Sequence, residues 1–328
     1  MLGLTASPRR FQQPDLRPAA APMASGWRVC EEAVMGTAIR VELWAGDAAD
    51  GAGACASVMA EMHRIDRAMS PHKKDSELSR INRDAFDGAV ALSAEMTALL
   101  ARAQAFAELS AGAFDITYAA VGCLYDYRAR MRPGEAALAA ARAAVGWRHL
   151  ELDARAGTVR FTRPGMRIDL GGFAKGHAVD NAAALLRERG IRHAMVSAGG
   201  DSRVVGDRRG RPWLVGVRDP RRDGEVVAML PLEDVSISTS GDYERCFDEG
   251  GVRFHHLIDP ATGESPRGIH SVTVLADDGL TSEALSKTVF VLGVEKGLRL
   301  VEAQAGVDAV VVDAAGALHF SSGLQSPT

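Results

Sequence analysis

The sequence predicts a mixed, mostly antiparallel α+β fold, and three observations point to it. Strand-like segments crowd into the second half without a regular helix after each: Met195-Val196-Ser197, Trp213 to Val217, Val226 to Leu232, Val235 to Ser238, Ser271 to Leu275 and Ala309 to Val312. Helix-period apolar patterns dominate the first half. No internal repeat and no Pro/Gly-rich linker interrupts residues 27–328, so one continuous unit is expected there.

Each element has a local reason. Ile39, Val41 and Leu43 alternate with Arg40 and Glu42, the period of a half-buried strand. Cys55, Val58, Met59, Met62, Ile65 and Met69 recur at helical spacing, which predicts a helix over about 52–68. Ser93 is a good N-cap for a helix burying Met96, Leu99, Leu100, Ala103 and Phe106. Pro133 and Gly134 mark the start of a third helix that runs to about Val145. Ile168 and Leu170 read as strand residues, and a fourth helix follows Lys175 and stops at Gly190, a C′ glycine. A last pair covers 281–291 and 295–304.

Composition excludes several classes of function. Hydrophobic residues make up 47% and charged residues 24% of 328, enough for a core without covalent staples. Thirty-eight Lys+Arg against 42 Asp+Glu leave a net charge of −4, which argues against a nucleic-acid partner. No apolar run approaches the ~18 residues of a membrane-spanning helix. Cys30, Cys55, Cys123 and Cys246 are scattered and form no C-x-x-C pair, so the reading is four reduced thiols. Residues 1–26 hold four of the 13 prolines (Pro8, Pro14, Pro18, Pro22) and little periodicity, the pattern of a disordered leader. Arg9-Arg10 would suit a twin-arginine export signal, but Gln12, Gln13, Pro14 and Asp15 stand where its apolar core should begin. A cytoplasmic location is therefore expected, and Met23 is an alternative start.

Five stretches could carry chemistry. In Asp169-Leu170-Gly171-Gly172-Phe173-Ala174-Lys175-Gly176, a strand, a glycine-rich turn and a helix N-terminus would make an anion cradle of free amides, with Lys175 as a mobile cation. A tight turn with Asp169 as helix cap is the alternative. Ala198-Gly199-Gly200-Asp201 and Ser240-Gly241-Asp242-Tyr243-Glu244 read as polar turns after strands. His255 and His256 precede an Asp259-Pro260 turn; in a strand they would face opposite ways, so they are poor partners on one metal and one of them is expected to be structural. Glu283 shares a helix face with Ser286 and Lys287, either as a surface ion pair or as a carboxylate and hydroxyl facing a cation.

Taken in order, these segments resemble the ApbE family, the FAD:protein FMN transferases, from about Val34 to Leu300. The matching stretches are Met35-Gly36-Thr37, Met69-Ser70, Asp75 to Asn82, Gly112 to Thr117, Asp169 to Asp180 and Ala198 to Asp201. They continue with Ser240 to Tyr243, His256 to Pro260 with Thr262-Gly263, and Ala284-Leu285-Ser286 running into Phe290 to Gly293. The resemblance implies a magnesium-dependent enzyme. It would split the pyrophosphate of FAD, its substrate, attach FMN through a phosphoester to a threonine or serine of a flavin-accepting target protein, and release AMP. It also brings a periplasmic location as the alternative. FAD contacts would fall on Met35, Ala113, Phe114, Asp115, Asp169, Lys175 and Ile258. His72 stands where the family commonly has a tyrosine, so an imidazole would stack on the flavin.

The resemblance implies catalytic roles for Glu283, His256 and Lys287, and Mg²⁺ ligands at Gly172, Glu283 and Ser286. Here the chain departs from the family, which usually reads Asp-Ala-Leu-(Ser/Ala/Asp)-Thr with Asp and Thr on the metal. This chain has Glu283-Ala284-Leu285-Ser286-Lys287, and a protonated lysine cannot ligate. Three readings stay open. Lys287 swings away and leaves Gly172, Glu283 and Ser286 to the ion; or it replaces part of the ion's charge and acts on the phosphate; or the site is impaired and the protein only binds FAD. A plain FAD pyrophosphatase is the other enzymatic alternative.

Overall fold

Alternation in the sequence becomes a sheet edge at the start of the chain. Strand β1 (Trp27–Val34) pairs antiparallel with β2 (Thr37–Trp44), and Ile39, Val41 and Leu43 of β2 are fully buried. Their two-residue turn puts Met35 and Gly36 at φ 57° and 71°, the left-handed geometry that suits the twist of a tight hairpin. The computed structural model describes residues 26–46 and 48–325, so the expected leader lies outside the described residues but for Gly26.

Helix α1 (Ala48–Met69) is followed by α2 (Glu77–Asp84), β3 (Val90–Ala91) and α3 (Ala94–Leu109). Ser93 caps α3 as expected, its Oγ accepting from the Met96 amide at 3.1 Å. Then come α4 (Ala119–Gly122), α5 (Glu135–Arg142), β4 (Leu150–Asp153), β5 (Thr158–Phe161) and α6 (Ala174–Glu188). Gly190 takes φ 75° just beyond α6, the predicted C′ glycine. The remainder is β6 (Ala194–Ala198), β7 (Asp201–Val205), β8 (Trp213–Arg218), β9 (Val226–Leu232), β10 (Ser236–Gly241), β11 (Cys246–Glu249) and β12 (Val252–His255). Strand β13 (Ile269–Ala276), helices α7 (Gly279–Leu292) and α8 (Val294–Glu302), and strands β14 (Asp308–Asp313) and β15 (Leu318–Phe320) close the chain.

Eight strands form one sheet in the order β1-β2-β6-β7-β10-β13-β14-β15, every neighbouring pair antiparallel. Helices α1, α6 and α7 pack together, with α6 and α7 against one face of the sheet. The β8–β9 hairpin covers part of the other face, where Trp213, Val217, Leu230 and Leu232 meet Val204, Ile237 and Leu275. The mixed α+β expectation therefore holds.

Two expectations are corrected. Residues 166–170 are not a strand: Asn82 supplies the pairing instead, its Nδ2 donating to the Ile168 carbonyl (2.9 Å) and its Oδ1 accepting from the Ile168 amide (2.7 Å). Nor are all four cysteines reduced. Cys30 of β1 and Cys55 of α1 are joined in a disulfide, with Cα atoms 6.3 Å apart, because α1 folds back along the edge of the sheet. Their 25-residue separation hid a neighbourhood that only the fold creates.

Candidate active site

A cavity of about 820 Å³ opens where the β1–β2 turn, the segment after α3, the Arg167–Phe173 loop, the β6–β7 turn and the Leu257–Pro260 segment converge. Glycines let these backbones meet. A Cβ on Gly200 would sit 2.6 Å from the Thr239 carbonyl, so the β6–β7 turn, with Ala198 paired to Asp201, admits no side chain there. This is the hairpin that the two glycines suggest.

Below the cavity, α6 and α7 cross at contact of their backbones. A Cβ on Gly176 would lie 2.2 Å from the Gly279 carbonyl oxygen, and one on Gly279 would lie 2.4 Å from that of Gly176. The crossing places Glu283, fully buried, against the start of α6, where its Oε2 accepts from the Gly176 amide at 2.6 Å. Its Oε1 accepts from Lys175 and, at 3.2 Å, from Lys287. Lys175 also donates to Asp201 Oδ2 at 2.5 Å, and Asp201 Oδ1 accepts from Ser238 at 2.5 Å. Two ammoniums and two carboxylates thus close the floor. Burial alone would raise the Asp201 pKa, but the charges of Lys175 and Lys287 outweigh it and hold the carboxyl low. Burial lowers the Lys287 pKa against the opposing pull of Glu283 and Asp201. For Lys175, those same two carboxylates overcome burial and raise it.

This geometry changes the expected anion cradle. The α6 amide dipole does hold an anion, but that anion is Glu283. The Gly171 amide goes to Asp169 Oδ1, and the Phe173 and Ala174 amides both go to the Leu170 carbonyl. Asp169 therefore closes its own turn and does not cap α6. Lys175 is an ion-paired member of the floor, not a mobile cation.

The expected metal ligands do not form an open donor set. Ser286 Oγ is spent on Ser238 (3.1 Å), Ser240 (2.8 Å) and the Glu283 carbonyl (2.9 Å). Glu283 is engaged on both oxygens, and the stem of Lys287 lies beside Gly172, whose Cβ would come 3.6 Å from Lys287 Cε. Among the described residues, no group of three His, Cys, Asp or Glu could hold a metal ion. The donor chemistry does not fit Mg²⁺, which needs several oxygens in near-octahedral array.

The other expected contacts, Met35, His72, Ala113, Phe114, Asp115, Asp169 and Ile258, all border the cavity, as do Gly172, Lys175, His256 and Lys287, whereas Glu283 and Ser286 lie beneath it. Asp115 works mainly on the chain itself, accepting from Thr117 (amide 2.8 Å, hydroxyl 2.6 Å) and from the Trp147 amide (2.8 Å), while burial raises its pKa. The two histidines divide as expected. His255 is buried edge-on to Phe290 and donates from Nε2 to the Pro266 carbonyl at 3.1 Å. His256, one residue past β12, borders the cavity with its buried Nδ1 unpartnered. Burial and then the charges of His255, Arg245, Lys287 and Lys175 lower its pKa to about 3, so its ring is neutral.

Several cavity residues escaped the sequence reading. Arg245 reaches the β1–β2 turn, its Nη2 3.8 Å from the position of a Cβ on Gly36. Tyr125 and Tyr127 stack at 5.7 Å between ring centroids, anchored by their hydroxyls to the carbonyls of Gly263 (3.0 Å) and His255 (3.2 Å). Neither tyrosine shows helical or strand periodicity. Asp201 was visible only as the end of a turn.

A wide cavity with stacked aromatics on its wall and paired lysines on its floor, set in this antiparallel α+β frame, defines a class that handles ring-bearing anionic ligands. Known structures share the frame. The ApbE protein of Thermotoga maritima superposes with a TM-score of 0.84 at 32% identity, covering 90% of this chain and 97% of that one. The flavin transferase ApbE of Vibrio cholerae gives 0.82 at 29%, with the same coverage. The ApbE family model matches residues 35–311, and the chain belongs to that family. The FAD:protein FMN transferase of Treponema pallidum is 34% identical over 315 residues, 89% of this chain and 86% of that protein. One from Rhodobacter capsulatus is 47% identical over 154 residues, 47% of this chain but 29% of that longer protein.

Proposed function

We propose that the protein transfers the FMN moiety of FAD to a threonine or serine hydroxyl of a flavin-accepting protein and releases AMP. The observation that carries this reading is the meeting, in one cavity, of a neutral histidine with an unpartnered ring nitrogen and a floor where Lys175 and Lys287 are ion-paired to Asp201 and Glu283. The chemistry is phosphoryl transfer, which asks for positioning, charge neutralisation and a base on the attacking oxygen. The hydroxyl oxygen of the acceptor attacks the FMN phosphorus. The bridging P–O bond to AMP breaks, AMP keeps the electron pair, and the hydroxyl proton passes to His256. Burial first, and then the charges of His255, Arg245, Lys287 and Lys175, lower the His256 pKa, so a bound pyrophosphate would offset only the cationic part of that shift. The stacked Tyr125–Tyr127 pair and His72 line the cavity and are among the aromatic groups on its wall that a ring-bearing ligand could meet.

The family expectation of Mg²⁺ is not used in these steps, because the donors are already engaged. The test is incubation with FAD and the protein acceptor of an FAD:protein FMN transferase relative. Covalent flavin on the acceptor hydroxyl is expected. FMN and AMP released at equal speed without acceptor would replace the transferase by a pyrophosphatase.

A further inference from the structure

We infer that the ε-ammonium of Lys287 stands in for the divalent cation at this site, so that this protein cleaves the FAD pyrophosphate with fixed lysine charge and no bound metal. The inference rests on the transferase reading for its chemistry and on the cavity floor for its charge. Lys287 lies one helical turn after Glu283, at i+4 on α7, so the two side chains share a face. Its Nζ donates to Glu283 Oε1 at 3.2 Å, and its stem runs beside Gly172. The cation therefore sits between the carboxylate and the loop backbone and still borders the cavity.

Charge decides between lysine and metal. Lys175 and Lys287 already balance Asp201 and Glu283. A divalent ion added there would leave a buried excess of two positive charges beside two ammoniums. The low-dielectric interior penalises that strongly. Ser286, the hydroxyl that a metal would need, is turned toward Ser238 and Ser240 of β10. When the acceptor oxygen attacks and the bridging P–O bond breaks, negative charge grows on the departing AMP phosphate. The Lys287 ammonium is placed to donate to that oxygen, the role a metal ion fills as a charge clamp.

Mn²⁺ is the probe, followed by electron paramagnetic resonance on the full-length protein without FAD. The wild type should bind no Mn²⁺ at concentrations where Lys287→Thr binds one ion. AMP release by the wild type should persist in EDTA. Lys287→Met, which can neither ligate nor carry charge, should lose roughly 10²-fold in AMP release, with no rescue by Mg²⁺. An FAD-induced rise in Tm checks that each variant is folded. Stoichiometric Mn²⁺ binding by the wild type overturns the inference, as does turnover that EDTA abolishes and Mg²⁺ restores. A Lys287→Thr protein that also ignores Mn²⁺ overturns it too, since Lys287 would then not be what excludes the ion. The two readings fail separately. Flavin transfer that requires Mg²⁺ sinks the lysine assignment alone. Absence of transfer together with the predicted Mn²⁺ contrast sinks the transferase alone.

Discussion

His256 is the residue on which the proposed chemistry turns. Its ring is held neutral by burial and by neighbouring charges, it borders the cavity, and its Nδ1 is buried without a hydrogen-bond partner. Replacing it with glutamine should lower flavin transfer by about 10²–10⁴-fold with little change in FAD affinity, read from single-turnover rates and a binding titration. The same substitution should change the acid limb of stability. An unfolded histidine titrates near 6.5, and folded His256 does so at about 3. Between those values the unfolded chain takes a proton that the folded one refuses. Stability therefore falls as pH drops from about 6.5 toward 3, by up to ~1.4 kcal/mol per unit, and is unaffected above that window. Urea unfolding from pH 7 to 4.5 should show a shallower fall in His256→Gln than in the wild type. His255, also held down by burial, and carboxyls held low such as Glu95 and Asp201 contribute to the slope that remains. An identical slope would place the His256 pKa near its ordinary value. Lys175 teaches the converse lesson: a lysine beside a glycine-rich turn looked like a phosphate ligand, but two buried carboxylates claim it.

Among the elements, the α6–α7 crossing matters most, since it delivers Glu283 to the Gly176 amide. Gly176→Ala forces a methyl into the Gly279 carbonyl and should destabilise by about 1–3 kcal/mol, with loss of FAD binding as the floor shifts. Equal stability in urea would mean that the helices can part without cost. The Cys30–Cys55 link predicts two titratable thiols, Cys123 and Cys246, in the denatured, unreduced protein. Its removal by Cys30→Ala should cost about 3 kcal/mol, measured the same way; four free thiols would contradict the pairing. These elements also show what the sequence made legible. Strand β2, helix α3 with its Ser93 cap, and the Gly190 stop of α6 were readable because period and cap are local signals. Strand β1 was not: it is an edge strand carrying Glu31 and Glu32 outward, without a clean period-two pattern. Residues 166–170 looked like a strand, yet their partner is the side chain of Asn82, 86 positions earlier. The disulfide and the helix crossing depend on backbones that meet only in the fold.

At the scale of the whole molecule, the cavity is assembled from segments spread over most of the chain, from Met35 to Val291. Its members were legible as an ordered series of short motifs, each weak alone. Their roles were not, because the difference between a phosphate ligand and an ion-paired floor lies in distances that spacing does not encode. Arg245, Tyr125 and Tyr127 stayed hidden for the same reason: they join Met35, His72 and His256 in one cavity only in the folded chain. The central eight-stranded sheet carries many of these pieces, while the β8–β9 hairpin covers part of the opposite face with its own apolar cluster. The frame thus leaves a cavity of about 820 Å³ lined by turns from both halves of the chain. The decisive measurement is the ratio of AMP released to flavin covalently bound, with purified protein, FAD and the acceptor protein of a relative, read by chromatography and intact mass. The account predicts one AMP for each FMN phosphoester on a threonine or serine. AMP and free FMN in equal amounts, with the acceptor unmodified, would contradict it.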